Sequence, residues 1–190
     1  MLDKTLLADK FNAARDYAAY LATGTDEHRR RWAQVYDATK LTDDQRKLVA
    51  GFGRQVNVLV VSGIWCGDCV QQVPLIQRIG EANPEQVRVR IIDRDEHKDL
   101  SSRLRINGGD RVPVVVLMAE DFELCAIAGD RTLRRYRAIA MKQLGPACPI
   151  AIGGPDLGEL AETLQDWLDE IERVHLMLRL STRLRQKHGD

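Results

Sequence analysis

The feature that most constrains this chain is a pair of cysteines, Cys66 and Cys69, separated by two residues at a strand-to-helix junction. They follow a continuous apolar run over residues 56–62 and stand at the start of a helical pattern over residues 67–82. The first turn of a helix has unpartnered N–H groups and a partial positive charge, and both stabilise a thiolate. Such a position lowers the pKa of a cysteine from about 8.5 toward about 3.5–7.5. The motif therefore predicts a redox-active dithiol, with Cys66 as the attacking thiolate and Cys69 as the resolving thiol.

Two prolines and a glycine further along the chain stand at positions that need an explanation. Pro74 lies inside the helical pattern, where a proline removes a backbone hydrogen bond and kinks the helix. Pro113 opens an apolar strand pattern over residues 113–118, where a proline is tolerated. Gly129 follows a second strand pattern over residues 122–128. In this order and spacing, these residues and the Trp-Cys-x-x-Cys motif resemble the thioredoxin family.

The resemblance covers residues 55–144 and implies roles for several residues around the dithiol. In that family a cis-proline loop faces the two cysteines, and Val112 and Pro113 match it here. The backbone of Val112 would pair with an extended substrate chain, which is recognition by strand addition. Trp65 would offer the substrate a flat apolar contact, and Gly129 would let a loop approach the same groove without a side chain in the way. We expect neither a cofactor nor a metal.

The motif also departs from the family pattern. Many thioredoxins carry a buried aspartate six residues before the nucleophile, where it assists proton removal from the resolving cysteine, and Val60 stands at that position. Water or another carboxylate would then have to accept the proton. Gly67 and Asp68, between the two cysteines, are expected to tune the dithiol. Because a carboxylate near Cys66 disfavours the thiolate, we expect Asp68→Asn to lower the pKa of Cys66.

The element pattern predicts an α/β thioredoxin-like fold, a mixed central sheet flanked by helices, with additional helices at both ends. A strand–helix–strand crossover gives parallel pairing, and a close turn gives an antiparallel hairpin. We expect a helical extension over residues 1–53, a thioredoxin-like domain over 54–145, and a loop with a long helix over 146–190. The expected strands are 56–62, 87–92, 113–118 and 122–128, and the expected helices of the domain are 67–82, about 97–105 and 132–144.

Helical spacing continues outside this domain. Residues 3–22 predict one helix, Thr25 opens a second that carries Trp32, and Thr42 caps a short third. Beyond two Gly- and Pro-rich breaks, Asp156 can cap a long helix with an apolar stripe that needs a partner surface. The stripe packs on the domain or forms a homodimer seam. Its members are Leu157, Leu160, Leu164, Trp167, Ile171, Val174 and Leu178.

Composition restricts the class of protein. The 190 residues are 44% hydrophobic, and 28 basic residues balance 28 acidic ones, which argues against binding to nucleic acid or to a membrane surface. The charged N-terminus gives no signal-peptide pattern, no apolar stretch approaches membrane-spanning length, and four cysteines do not form a secreted disulfide framework. We expect a cytoplasmic protein in which Cys125 is a small buried residue and Cys148 is an exposed, oxidisable thiol in a loop.

The predicted function is thiol–disulfide exchange through Cys66 and Cys69. In the reducing cytoplasm this would be reduction of disulfides in protein substrates, with a separate reductase as the electron donor. Two alternatives remain open: a binding module that uses the fold without redox turnover, and a dimer in which the cysteines of two chains hold a metal ion or an iron–sulfur cluster.

Overall fold

A four-stranded mixed sheet lies at the centre of the structure, a computed structural model that describes residues 2–144 and 158–190. In chain order the strands are β1 (Val56–Ser62), β2 (Val87–Asp93), β3 (Val114–Met118) and β4 (Leu124–Ala128). Their order across the sheet is β2-β1-β3-β4. β1 is parallel to β2 and antiparallel to β3, and β3 is antiparallel to β4. The mixed sheet and the antiparallel hairpin are as the sequence predicts.

Helices flank this sheet, and further helices precede and follow it in the sequence. In the described residues they are α1 (Lys4–Ala13), α2 (Tyr17–Leu21), α3 (Asp26–Ala38), α4 (Asp43–Ala50), α5 (Gly67–Ala82), α6 (Lys98–Ser101), α7 (Leu133–Leu144), α8 (Glu159–Leu180) and α9 (Thr182–His188). The predicted fold class, a thioredoxin-like sheet with added terminal helices, is confirmed.

The central strands place the cysteine motif at one end of the sheet. Every residue of β1 and β3 is buried, in agreement with their continuous apolar sequences. The one amide in β1, Asn57, donates a 2.8 Å hydrogen bond to the carbonyl of Ala119, so its burial is compensated. Because α5 begins five residues after β1 ends, the dithiol lies at the carboxyl end of a rigid central strand.

The N-terminal segment differs from its prediction. Residues 3–22 do not form one helix, because the chain leaves the helical conformation between α1 and α2. There Arg15 forms an antiparallel bridge with Ile91 of β2, with N–H···O distances of 2.9 and 2.8 Å. Asp16 then caps α2 by accepting a hydrogen bond from the backbone of Ala19. Pairing with the edge of the sheet satisfies the backbone N–H and C=O of Arg15, as a helix would. The periodicity of the local sequence gives no sign of this pairing, because the partner strand is distant in the chain.

The next two helices begin where their caps predict. Thr25 and Thr42 both form capping boxes at the starts of α3 and α4. Trp32 of α3 is fully buried, and its indole N–H donates a 2.9 Å hydrogen bond to the carbonyl of Ile64, just before the cysteine motif. The N-terminal helices therefore share the core of the sheet and touch the loop that carries the site.

One short helix is overpredicted. α6 is much shorter than the predicted range 97–105, because the chain passes into turns and then a tight hairpin at residues 106–109. Asn107 and Gly108 both have positive φ in that hairpin, which ends any helical continuation.

The C-terminal helix packs on the domain. The described residues of the apolar stripe of α8 lie against α5, α7 and β1, and they are buried except Leu160, which is partly buried. The predicted cap Asp156, Leu157 and the two Gly- and Pro-rich breaks lie outside the described residues, as does Cys148. α9 contacts the β3–β4 turn with its basic side chains: Lys187 pairs with Glu120 at 2.6 Å, and Arg183 pairs with Asp121. In the part of the chain that the structure describes, no helix is long and apolar enough to cross a membrane.

Candidate active site

Cys66 forms the N-cap of α5 and is half-buried. Its carbonyl accepts the first helical hydrogen bond, from Val70 at 3.0 Å, and its sulfur lies 3.5 Å from the carbonyl oxygen of Val112. Gly67, which follows it, faces open space, since a Cβ there would meet no atom within 4 Å. The thiol is thus held at a helix start while remaining open to solvent on one side.

Cys69 lies behind Cys66 and is fully buried. Its sulfur accepts a hydrogen bond from the backbone N–H of Gly63 at 3.5 Å, and the two cysteines are in the dithiol form. Burial, followed by the proximity of the Cys66 sulfur, raises the pKa of Cys69 well above its ordinary value. Of the two sulfurs, that of Cys66 is partly exposed and that of Cys69 is buried.

Hydrogen bonding makes Cys66 the more acidic thiol. A hydrogen bond from the side chain of Cys69 is the largest cause that lowers the pKa of Cys66. Hydrogen bonds from the backbone N–H groups of Cys69 and Asp68 lower it further. Burial and the negative charge of Asp68 act in the opposite direction, and the pKa falls to about 6. At neutral pH this sulfur is a thiolate, which is the nucleophilic form of cysteine.

We expect the alkylation rate of Cys66 by iodoacetamide to rise with pH through a midpoint near 6 and to level off above neutrality, because only the thiolate reacts. Quantifying modified Cys66 by mass spectrometry across pH measures the profile. Cys125→Ser is the matched control, because burial raises the pKa of Cys125 and its loss should leave the profile unchanged. A midpoint near the ordinary value of about 8.5 would contradict the assignment.

The loop before β3 faces the dithiol. The Val112–Pro113 peptide bond is cis, and the carbonyl of Val112 is the group that Cys66 contacts. The predicted juxtaposition of this loop with the cysteines is therefore present.

Trp65 and Gly129 occupy different environments. The Trp65 side chain is 48% exposed, and the Arg94 guanidinium lies 4.9 Å from its ring centroid. Gly63 permits this position, because a Cβ there would come within 3.0 Å of the indole. At Gly129 a Cβ would lie 3.5 Å from Ile106, an ordinary contact. The structure thus gives no steric reason for glycine at 129.

Two arginines that the sequence analysis did not single out neutralise Asp68. Its carboxylate pairs with Arg131 at 2.6 Å and with Arg135 at 3.5 Å. Both arginines lie more than sixty residues away in sequence, in the β4–α7 loop and in α7. Asp68 is thus both a weak negative charge near Cys66 and the anchor that holds two cations beside the helix.

We expect Asp68→Asn to lower the pKa of Cys66 by less than about one unit. The substitution removes a negative charge that disfavours the Cys66 thiolate, and it leaves the positive charges of Arg131 and Arg135 without their carboxylate partner. The ultraviolet absorbance of the thiolate, followed against pH, measures the change. Asp99→Asn is the control, since Asp99 pairs with Lys10. An unchanged or raised pKa would contradict the expectation.

A buried polar cluster fixes the loop after β4 to the active-site helix. Gln72 of α5 is fully buried and donates to the carbonyl of Asp130 at 2.7 Å. The Asp130 carboxylate accepts from Tyr136 at 2.6 Å and from Arg111 at 2.9 Å. Burial acts to raise the pKa of Asp130, but these two hydrogen bonds outweigh it and hold the pKa below its usual value.

Since Arg111 immediately precedes the cis-proline dipeptide, this cluster connects α5, the loop after β4 and the cis-proline loop. Local sequence patterns carry no signal for it, because its members are far apart in the chain.

Among the described residues, Cys125 is the one cysteine outside the dithiol. Cys125 is half-buried rather than fully buried, and its thiol donates to the carbonyl of Glu123 at 3.5 Å. Within residues 2–144 and 158–190, no group of three or more His, Cys, Asp or Glu side chains is arranged to hold a metal ion.

Comparison with known proteins identifies the family. A thioredoxin family model matches residues 14–139, so the chain belongs to the thioredoxin family. No curated protein matches it.

Three solved structures show how far the similarity extends. The chain is 21% identical to a Pseudomonas aeruginosa protein of unknown function, with a TM-score of 0.67 over 87% of this chain and 96% of that one. An HIV epitope-scaffold gives the same identity and TM-score over 87% of this chain and 97% of that one. Yeast mitochondrial thioredoxin 3, in its oxidised form, is 26% identical over 50% of this chain and 86% of that one, with a TM-score of 0.34. The first two establish a shared fold that includes most of the added helices.

Proposed function

We propose that this protein is a thiol–disulfide oxidoreductase that reduces disulfides in protein substrates. The observation that carries the proposal is the asymmetry of the dithiol. Cys66 is half-exposed with a pKa of about 6, whereas Cys69 is fully buried with a raised pKa. A nucleophile at the surface and a resolving thiol behind it are what a mixed-disulfide cycle requires.

The cycle moves two electrons from the protein to its substrate. The Cys66 thiolate attacks one sulfur of the substrate disulfide, a new S–S bond forms, and the other substrate sulfur leaves and takes a proton from solvent. Cys69 then attacks the sulfur of Cys66 and releases the second substrate sulfur as a thiol. The Cys66–Cys69 disulfide that remains must be reduced by a thiol donor, such as a reductase of the cytoplasm.

The surface around Cys66 supports a protein substrate. Trp65 presents an exposed apolar ring on one side, and the cis-proline loop lies on the other, with the Val112 carbonyl at the Cys66 sulfur. An extended chain placed between them would meet an apolar contact and backbone hydrogen-bonding groups. We propose Trp65, Val112 and Pro113 as the substrate-binding residues, with Gly129 at the edge of the same groove.

The geometry favours redox turnover over the two alternatives. A metal site shared between two chains needs all four thiolates at one surface, but Cys69 is fully buried and holds its proton. A binding module would have no use for a thiol with a lowered pKa. Perturbed pKa values of this kind concentrate at sites of chemistry.

The test is the reduction potential of the Cys66–Cys69 pair, measured by equilibrating the protein in graded glutathione buffers and trapping free thiols. A value near about −270 mV supports a reductase. A value above about −200 mV would replace reduction by an isomerase-like or oxidising role. Cys125→Ser should give the same potential as the unsubstituted protein. Absence of a reversible disulfide would overturn the proposal and favour a binding module.

A further inference from the structure

Two hydroxyl groups lie buried behind the dithiol without a partner. Tyr20 of α2 and Ser62, the last residue of β1, are both fully buried. Neither hydroxyl oxygen has a hydrogen-bond partner among the described residues. Because a buried hydroxyl that makes no hydrogen bond costs free energy, two of them side by side need an explanation.

Their position relates them to Cys69. Ser62 directly precedes Gly63, whose N–H donates to the Cys69 sulfur. Burial raises the pKa of both Cys69 and Tyr20, and the Ser62 hydroxyl acts in the opposite direction on each of them. The three side chains thus form a series from α2 through the end of β1 to α5.

The surroundings of Cys69 leave its thiolate with little other support. Val60, at the position where many thioredoxins have an aspartate, is fully buried and apolar. Gly63 contributes a single N–H. Two charged groups lie near the series. Arg15 interacts electrostatically with Asp93 and Tyr20 and pairs with Glu96 at 2.7 Å. The other is Asp93, which pairs in register with Ser62 across the sheet. Its carboxylate already accepts N–H bonds from Asp95 at 2.8 Å and Glu96 at 3.3 Å.

We propose that Ser62 and Tyr20 form a hydroxyl relay that stabilises the Cys69 thiolate during the resolving step. The inference rests on the proposed function. Ser62 donates to the Cys69 sulfur and touches a reacting atom, while Tyr20 donates to the Ser62 oxygen and acts as a positioning residue. The two hydroxyls stabilise the negative charge on the Cys69 sulfur but accept no proton, so they do not replace the proton acceptor that the missing aspartate would supply.

The step balances without a further reactant. In the mixed disulfide, Cys69 loses its proton as its sulfur bonds to that of Cys66. The bond from Cys66 to the substrate sulfur breaks, and the substrate leaves as a thiol with the proton that Cys69 released. Ser62 and Tyr20 keep their own protons throughout and only turn their O–H bonds toward the developing charge.

The relay also gives the N-terminal helices a part in the chemistry. Tyr20 is held against Trp32 in an edge-to-face contact, with ring centroids 5.7 Å apart. Both residues belong to helices that precede the sheet, so the helical extension delivers a hydroxyl to the interior of the dithiol site.

The test separates the two sulfurs by stopped-flow reaction with a symmetrical aromatic disulfide that releases a coloured thiolate. The first release reports attack by Cys66, and the second reports resolution by Cys69. At pH 7 we expect Ser62→Ala to slow the second phase about tenfold and to shift its pH profile about one unit upward, with the first phase unchanged within about twofold. Tyr20→Phe should slow the second phase about threefold.

Two further variants serve as controls. Tyr17→Phe removes another buried, unpartnered hydroxyl from the same helix, but Tyr17 faces Tyr36 and Glu81 instead of the dithiol. We expect it to leave both phases unchanged. Ser62→Thr keeps a hydroxyl and should restore the second phase. Thermal unfolding should show Ser62→Ala to be at least as stable as the unsubstituted protein, because the substitution removes a buried hydroxyl that makes no hydrogen bond.

The outcomes are distinct. A second phase in Ser62→Ala that matches the unsubstituted protein in rate and pH profile would overturn the relay and leave the proposed function intact. An equal slowing by Tyr17→Phe would also overturn it, since the effect would then be structural. If the unsubstituted protein shows no second phase, the proposed function fails and the relay fails with it.

Discussion

Replacing Cys66 by serine is expected to lower the rate of disulfide reduction by at least about a thousandfold, because the attacking sulfur is removed and nothing replaces it. Reduction of a protein disulfide, followed by the appearance of free substrate thiols with a small dithiol as the electron donor, measures the loss. Since Cys66 lies at a helix start facing solvent, the fold should be unaffected. Residual turnover within about tenfold of the unsubstituted protein would show that Cys66 is not the nucleophile.

The companion variant Cys69→Ser should behave differently. It keeps the Cys66 thiolate and a donor at position 69, so attack proceeds and the mixed disulfide accumulates because nothing resolves it. A non-reducing gel then shows the protein joined to its substrate, and the same band identifies physiological substrates. Cys69→Ala removes the donor that does most to lower the pKa of Cys66, and it should therefore raise that pKa. Cys125→Ser is the control and should retain full turnover.

Trp32→Ala is expected to cost about 3–5 kcal/mol of folding free energy, the range for deleting a buried tryptophan. Trp32 is fully buried against Tyr20 and bonds to the carbonyl of Ile64. Urea unfolding, followed by circular dichroism, measures the change in midpoint. Trp32→Phe keeps much of the packing and loses the hydrogen bond, so its cost should be near about 1 kcal/mol.

Leu48→Ala provides the comparison for this prediction. Leu48 lies on the surface of α4, 37% exposed, and its truncation should change stability by less than about 0.5 kcal/mol. A Trp32→Ala change of similar size would show that the N-terminal helices do not share the core. A separate transition at low urea would show the same, because the extension would then unfold on its own.

Some residues of the site could be predicted from the sequence around them, whereas others are brought to the site only by contacts between distant segments. The motif at residues 65–69 could be identified from the chain alone, since residue type and neighbouring periodicity mark it. The cis-proline at position 113 was implied by the resemblance to the thioredoxin family. The partners of Asp68 could not, because Arg131 and Arg135 are distant in sequence and look like ordinary surface cations. The same holds for Ser62 and Tyr20. A serine at a strand end and a tyrosine in a short helix are common, and only packing brings them behind Cys69.

The extent of the family resemblance was also underestimated from motifs. These placed it at residues 55–144, whereas the family model reaches back to residue 14. The reason is that α2 and α3 carry no catalytic motif. Their relation to the sheet depends on the Arg15 bridge to β2 and on the burial of Trp32, both of which are contacts between distant segments.

Sequence patterns alone predict the buried strands β1 and β3 from continuous apolar runs, α3 and α4 from their threonine caps, and a cysteine pair at a strand-to-helix junction. These follow from interactions among residues close in the chain, where spacing fixes geometry. The tertiary structure alone decided the break between α1 and α2, the packing of α8 on the domain, the neutralisation of Asp68 and the hydroxyls behind Cys69. Each depends on which distant segments meet, and that is set by the burial of the whole core instead of by any local pattern.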